Sequence, residues 1–222
     1  MKRVLSTISL VCACTLVHAQ TALPPVWQSD TQKEVQVSTR TIAYLPPTRI
    51  VWQETTGESS IQGLENLLLP GNGQADLFDG QITRIKNGAT GKASFLLDFG
   101  RELQGGIQVV TGRSSKKEMK IRVRFGESVS EAMCDITPEN GATNDHAIRD
   151  FYLTLPWLGV AEIGNSGFRF VRIDLEEPDA ELSLKEIRAT FGYRNIPYLG
   201  SFKCDNERLN DIWMTGAYTV HL

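Results

Sequence analysis

The segment GFRFVRIDL, residues 167–175, decides the fold of this chain and is bounded by turn-forming residues on both sides. Side chains alternate between the two faces of a strand, so Phe168 and Phe170 share one face while Val171 starts an apolar set on the other. The apolar face therefore changes within the segment, which indicates either a β-bulge or a strand covered on both faces. Both arrangements place this strand near the middle of an all-β core.

Short segments of apolar and polar alternation recur on either side of this strand. Turn-forming residues separate them, and helical periodicity is absent from residues 26–198. The pattern predicts strands at 35–37, 49–53, 64–69, 82–85, 95–99, 107–109, 119–125, 151–155 and 187–193. Successive short strands of this kind predict an all-β fold, an antiparallel, jelly-roll-like β-sandwich.

The C-terminal segment changes to helical periodicity. Asp205 is a candidate N-cap, and one face of the predicted helix carries an apolar stripe formed by Leu209, Ile212, Trp213, Gly216 and Val220. An amphipathic helix needs a partner for its apolar face, and the sequence contains no second helical pattern. The helix therefore either folds back onto the sandwich or packs against a further domain.

The first 19 residues have the order of a secretory signal peptide. Lys2 and Arg3 precede an apolar run at 4–17, and Ala19 is the expected cleavage site. The alternative is a lipoprotein signal, in which Cys14 is acylated and becomes the mature N-terminus. Both predict an exported protein, periplasmic or extracellular, and no later stretch is apolar enough to span a membrane.

The charge and the cysteines exclude several classes of partner. Loss of the leader lowers the 23 Lys and Arg residues to 21 against 26 Asp and Glu, so the net charge changes from -3 to -5. A mildly acidic protein lacks the excess of positive charge that binding to nucleic acid requires. Cys134 and Cys204 lack metal-site spacing, and two free thiols are favoured over a disulfide.

One basic cluster is visible within a predicted strand. Lys120, Arg122 and Arg124 alternate with the apolar residues of 119–125. This alternation predicts that they form the solvent-facing side of that strand.

Five residues are candidates for a ligand site. Glu127, Asn144, Asp145 and Asp150 carry oxygens that suit sugar hydroxyls or a calcium ion, although their spacing matches no EF-hand loop. Trp157 offers an indole on which a pyranose could stack. The structural alternatives are a solvated, internally bonded loop for the polar residues and a buried indole for Trp157. His146, a lone imidazole, is expected to be structural.

The segment LDFGRE at 97–102, followed by glycines at 105 and 106, is the most distinctive local motif. The glycines permit a bulge or a tight connection between strands, and Asp98 could pair with Arg101. A structural role is favoured over a ligand site. No nucleophile, metalloprotease, phosphate or dinucleotide motif is present, and composition nominates no catalytic carboxylate pair.

Four motifs together resemble a known family. LDFG at 97–100 with its two glycines, RFGE at 124–127, RDFYL at 149–153 and GFRFV at 167–171 resemble, in this order, the N-terminal β-sandwich region of bacterial α-L-rhamnosidases of glycoside hydrolase family 78. NIPYLGSF at 195–202 and the helix at 206–222 resemble the connection into the (α/α)6 catalytic barrel of that family. The resemblance covers residues 95–222.

The residue patterns and the resemblance together divide the chain into four regions. The patterns predict a signal peptide at 1–19 and an extended segment with edge strands at 20–91, and the resemblance implies the sandwich core at 92–198 and a linker with the first barrel helix at 199–222. In such enzymes the two catalytic carboxylates lie in the barrel and act with inversion, so no residue here inherits a catalytic role. The implied partners are a rhamnose-containing glycan and the barrel, with no cofactor except an optional calcium ion.

The sequence therefore predicts the non-catalytic β-sandwich part of an exported α-L-rhamnosidase-like protein, inactive alone. A free-standing carbohydrate-binding module is the alternative, and a surface scaffold without a ligand is a third possibility.

Overall fold

The computed structural model describes residues 40–75, 77, 80–137 and 149–222. The leader, Cys14, the strand predicted at 35–37 and the candidate residues Asn144, Asp145 and His146 lie outside these ranges. No helix in the described part of the chain is both long and apolar enough to cross a bilayer.

The described residues form nine strands, two α-helices and a 3-10 helix. The strands are β1 Arg40–Leu45, β2 Arg49–Thr55, β3 Ser60–Gln62, β4 Thr83–Asn87, β5 Ala93–Thr111, β6 Glu118–Gly126, β7 Asp150–Pro156, β8 Gly159–Leu175 and β9 Ala180–Arg194. The helices are the 3-10 helix Leu64–Leu68, α1 Val129–Met133 and α2 Glu207–Thr219. The predicted all-β fold with a C-terminal helix is confirmed.

All strand pairs are antiparallel, in the order β3-β4-β9-β5-β8-β6-β7, with β1 paired to β9 and β2 paired to β5. β5 up to Asp98 pairs with β2 and with the last part of β8. From Leu103 onward β5 pairs with β9 and with the first part of β8. The two long strands therefore run through both layers of a sandwich and join them into one sheet.

The segment at 167–175 lies in β8 between β5 and β6, so its predicted central position is confirmed. Phe168 packs in the main core, with its ring edge-on to Phe99 and Phe125. Phe170 instead joins a small second cluster with Leu96 and Ala132 of α1. The prediction that Phe168 and Phe170 share a face is therefore wrong. The β5–β8 register is irregular between Asp98 and Leu103, opposite Phe170 and Phe168, so the change of face comes between these two rings, and α1 covers the outer face at Phe170.

Two predicted elements are wrong in detail, and one open alternative is decided. The segment at 64–69 forms a 3-10 helix, because Gly63 adopts a left-handed φ of 64° and starts a turn there. Of the two alternatives for 100–106, the bulge is correct and the connection between strands is wrong, since the segment is part of β5 and its pairing with β8 is irregular there. The cap of α2 is Asn206, whose Oδ1 accepts the backbone N–H of Arg208 at 3.0 Å, and Asp205 precedes it.

Candidate functional site

Trp157 lies at the tip of the hairpin between β7 and β8. It is 42% exposed and borders an open groove of about 680 Å³, within the usual range for small-ligand sites. Lys116 and Lys117 flank it from the β5–β6 connection. The Lys116 ammonium is bound by the Glu177 carboxylate at 2.9 Å, which leaves the exposed Lys117 as the neighbouring cation. An exposed indole beside a cation can stack on one face of a sugar and hydrogen-bond its edge.

Glu127 lies at the opposite end of β6. Glu118 begins β6 and pairs with Pro156 next to Trp157, whereas Glu127 directly follows the last residue of the strand. Nine strand residues span about 27 Å, so Glu127 and Trp157 do not line one sugar site together.

Glu127 belongs instead to an acidic cluster with Glu102 and Glu131. Burial, followed by the charges of Glu127 and Glu131, raises the pKa of Glu102 from 4.5 to about 7. A carboxylate oxygen of Glu102 and one of Glu127 lie 2.8 and 3.4 Å from where a Cβ on Gly167 would project. Glycine at 167 therefore leaves the space that these two carboxylates share.

Glu131 of this cluster has a structural role. Its backbone N–H donates to the Ser128 hydroxyl at 3.2 Å, which caps α1, and its carboxylate accepts the Glu127 N–H at 2.7 Å. Its other oxygen contacts the Arg149 guanidinium at 2.5 Å. In the described ranges no group of three or more His, Cys, Asp or Glu side chains is arranged to hold a metal ion.

Asp98 of the LDFG motif has a structural role, because its carboxylate joins strand β5 to Arg49 of β2 and to Arg169 of β8. It is 1% exposed and accepts from Arg169 at 2.8 and 2.9 Å, from Arg49 at 2.9 Å and from the Gly100 N–H at 2.7 Å. Burial alone would raise the pKa of Asp98, but these donors outweigh it and lower the pKa to about 2. Arg101, the predicted partner, lies over the Tyr218 ring instead.

An arginine and aspartate network covers the outer face of β6 and β8, where the sequence predicted solvent-facing cations. Arg124 and Asp174 are each 5% exposed and are joined at 2.8 Å. Asp174 also accepts from Arg172 at 2.9 Å. Burial opposes the ionisation of Asp174, yet the donors from Ser94, Arg124 and Arg172 lower its pKa overall. The solvent-facing prediction holds for exposed Lys120 and is wrong for Arg124.

The sequence contained one signal for this network. Arg172 and Asp174 alternate with the apolar residues of β8 and therefore share a face. That β6 would lie beside β8, with Arg122 opposite Asp174, depends on tertiary pairing that alternation does not report. Asp135, which follows α1, joins Arg122 at 3.0 Å and Arg124 at 2.9 Å.

Helix α2 leaves most of its apolar stripe in solvent, and only Trp213 among the large side chains of the stripe is half-buried, beside the ring of Tyr198. None of its residues is buried, and Leu209 and Ile212 are 47% and 58% exposed. The Tyr218 hydroxyl, about 180° around the helix from Leu209, donates to the Glu102 carbonyl at 2.5 Å. The chain is also tied to the sandwich by the Arg194 N–H, which donates to the His221 carbonyl at 2.9 Å. The helix is therefore attached through its polar side.

Comparison with known proteins shows a likeness of fold alone. The sequence matches no family profile and no curated protein. A rhamnosidase from Klebsiella oxytoca with rhamnose bound matches with a TM-score of 0.55 and 13% identity over 82% of this chain. The chain spans 35% of that rhamnosidase, and identity this low transfers no residue role.

Two further structures match more weakly. A family 78 rhamnosidase from Bacillus sp. GL1 matches with a TM-score of 0.48 and 21% identity over 72% of this chain and 15% of its own. A fucose-binding module from Streptococcus pneumoniae matches with a TM-score of 0.41 and 13% identity over 66% and 91% of the two chains.

Proposed function

We propose that this chain is the non-catalytic β-sandwich part of an exported α-L-rhamnosidase-like glycoside hydrolase that acts on rhamnose-containing glycans. The observation that carries the proposal is α2, which is attached through Tyr218 while Leu209 and Ile212 point into solvent. The likeness of the sandwich to part of the Klebsiella oxytoca rhamnosidase supports it.

The helix gives the sandwich a docking role. Burial of a side chain such as Leu209 or Ile212 in an interface contributes about 1.5–3 kcal/mol relative to exposure. The preceding linker adds Phe202 at 44% exposure and Leu199 at 95% exposure. A helical domain that covered this surface would be held in a fixed position against the sandwich and would supply the two carboxylates that cleave the glycosidic bond.

An activity assay tests the absence of catalysis. The purified chain is expected not to hydrolyse an aryl α-L-rhamnoside. Turnover that disappears in Glu102→Gln or Glu127→Gln would overturn the proposal, because those carboxylates are the adjacent acidic pair of the sandwich.

A second experiment tests docking. The DNA that follows the codon for Leu222 is expected to encode a large helical domain. In the joined protein, Ile212→Asn is expected to reduce activity and loosen the two parts in limited proteolysis, whereas Thr215→Asn on a polar face of α2 is not. Equal behaviour of the two variants would count against docking through the stripe.

A free-standing carbohydrate-binding module is the second candidate, and exposed Trp157 favours it. Titration with rhamnose and plant-polysaccharide fragments, with and without calcium, tests this function. Trp157→Ala is expected to abolish binding, whereas Tyr152→Ala, which removes a 59% exposed aromatic ring from β7, is expected to preserve it. No binding at millimolar sugar would remove this candidate.

Export is the remaining part of the proposal. Mass spectrometry of the protein from its native host is expected to find a mature N-terminus at Gln20. A lipid-modified N-terminus at Cys14 would establish the lipoprotein alternative.

A further inference from the structure

A second groove, separate from Trp157, lies on the outer face of the sandwich. Its volume is about 450 Å³, within the range of small-ligand sites. Strands β2, β5, β6 and β8 and the segment after α1 line it. Its principal charged residues are Lys92, Arg122, Arg124, Asp135, Arg172 and Asp174.

The charged side chains at the floor of this groove are much less exposed to solvent than is usual on the outer face of a sheet. Arg124 and Asp174 are each 5% exposed, and the Nε of Arg124 is buried without a hydrogen-bond partner. Removing ions from water is costly even when they are paired, and a hydrophobic pair of similar volume is often as stable. Stability alone therefore does not explain why this face carries such a network.

The charges of the groove point to an uncharged ligand. The cationic side chains of Lys92, Arg122, Arg124 and Arg172 are balanced by the carboxylates of Glu54, Asp135, Asp174 and Glu176. An ionic ligand of either sign would meet like charges as well as opposite ones. Each guanidinium beside a carboxylate instead offers donors next to acceptors, and a hydroxyl group both donates and accepts. Hydrogen bonds to charged partners are also the stronger ones.

We propose that this groove binds a neutral saccharide unit through adjacent hydroxyl groups; the choice of sugars as the polyhydroxylated ligand rests on the proposed function. Asp135 is the accessible acceptor, because its side chain is 58% exposed while it contacts Arg122 and Arg124. The backbone of β6 and β8 does not depend on Asp135, and Arg122 keeps its two bonds to Asp150 without it.

A titration of the isotope-labelled chain by two-dimensional NMR tests the proposal, with rhamnose and other neutral monosaccharides against glucuronate. Neutral sugars are expected to shift the amides of Arg122, Arg172 and Asp174. Asp135→Ala is expected to weaken binding by about tenfold, the usual effect of losing a hydrogen bond to a charged group. Glu65→Ala, which removes an exposed carboxylate from the 3-10 helix, is the matched control and is expected to bind like the unaltered chain.

Three results would overturn the proposal. Shifts confined to the hairpin around Trp157 and lost in Trp157→Ala would place the sugar there, which favours the module function and removes the groove. Tighter binding of glucuronate than of neutral sugars would show that the ligand is an anion. No shift with any sugar would reject the groove and leave docking through α2 to its own test. Asp135→Asn keeps one acceptor oxygen and nearly the same size. It therefore distinguishes weaker binding that comes from a lost hydrogen bond from weaker binding that comes from a loss of folding.

Discussion

Polar and apolar side chains are placed in opposite ways in two regions, the outer face of β6 and β8 and the exposed side of α2. On the strands, charged Arg124 and Asp174 are almost fully covered, and on the helix, apolar Leu209 and Ile212 lie in solvent. The strand face pairs its buried charges within the chain, through Asp135, Asp174 and Ser94, and leaves one buried nitrogen, the Nε of Arg124, without a hydrogen-bond partner. The helix does not satisfy its apolar stripe within the described part of the chain. The first region therefore pairs most of its buried polar groups internally, whereas the second leaves apolar side chains in contact with solvent.

The largest effect is expected where charge is buried. Asp174→Asn removes the negative charge that Arg124 and Arg172 share, and breaking a buried ion pair on one side costs about 3 kcal/mol or more. Denaturant unfolding at neutral pH measures this loss. Glu54→Gln, an exposed carboxylate on the same face, is the matched control and is expected to change stability by less than about 0.5 kcal/mol. Equal effects would show that the network is solvated.

The second-largest effect is expected at Asp98, on the stability of the fold at acidic pH. The pKa of Asp98 is lowered from 3.8 to about 2, so its contribution to stability is present above pH 3.8 and is lost as the pH falls through about 2. The contribution amounts to about 2 kcal/mol. Asp98→Asn is expected to lose this amount at neutral pH and to flatten the acid limb of the stability curve. Asp211→Asn on α2 should leave the curve unchanged; an unaltered acid limb in Asp98→Asn would contradict the structure.

A smaller effect of opposite sign is expected at Glu102. Its pKa is raised from 4.5 to about 7, so folding favours the protonated form and stability falls as the pH rises from about 4.5 through 7. Glu102→Gln is expected to raise stability above pH 7 by up to about 1 kcal/mol, since solvent screens part of the repulsion. Thermal unfolding across this pH range measures it. Glu127→Gln should weaken the same pH dependence by removing a neighbouring charge, and a curve that keeps its slope in both variants would reject the acidic cluster.

The smallest effect is expected on the helix. Ile212→Asn is expected to change the stability of this chain by less than about 0.5 kcal/mol, because the side chain is already 58% exposed. Ile173→Val removes only one methyl group from the core, yet is expected to cost about 1 kcal/mol. Urea unfolding of both variants makes the comparison. A larger loss in Ile212→Asn than in Ile173→Val would mean that the sandwich covers the stripe.

The strands of the fold were easier to predict from the sequence than the segments that connect them. The alternation around Phe168 and Val171 was enough to identify a central strand, because burial on both sides leaves a pattern in the strand itself. The continuity of β5 through 100–106 was not predictable in the same way. Gly100 has a φ of 86°, and a glycine of this kind fits a bend within a strand as well as a loop between strands.

The candidate sites were predicted only residue by residue. The exposure of Trp157 was one of two interpretations, and the structure shows the indole at the surface. Its separation from Glu127 depends on which end of β6 each residue occupies, which is a property of strand pairing. Asn144 and Asp145 remain predictions. The groove was missed because Arg122 and Asp174 come from different strands, and neither strand alone indicates that the other lies beside it.

Hydrogen exchange of the amides of α2, measured against those of β5 and β8, tests the central claim most directly. The claim is that this chain carries an apolar helical surface meant for a partner that supplies the catalytic groups. It predicts that α2 exchanges by frequent local opening, because a helix of 13 residues whose apolar face is largely unpacked is marginally stable, while β5 and β8 exchange only on global unfolding. Protection of α2 equal to that of β5 and β8 in the isolated chain would contradict the claim, since the stripe would then already be covered.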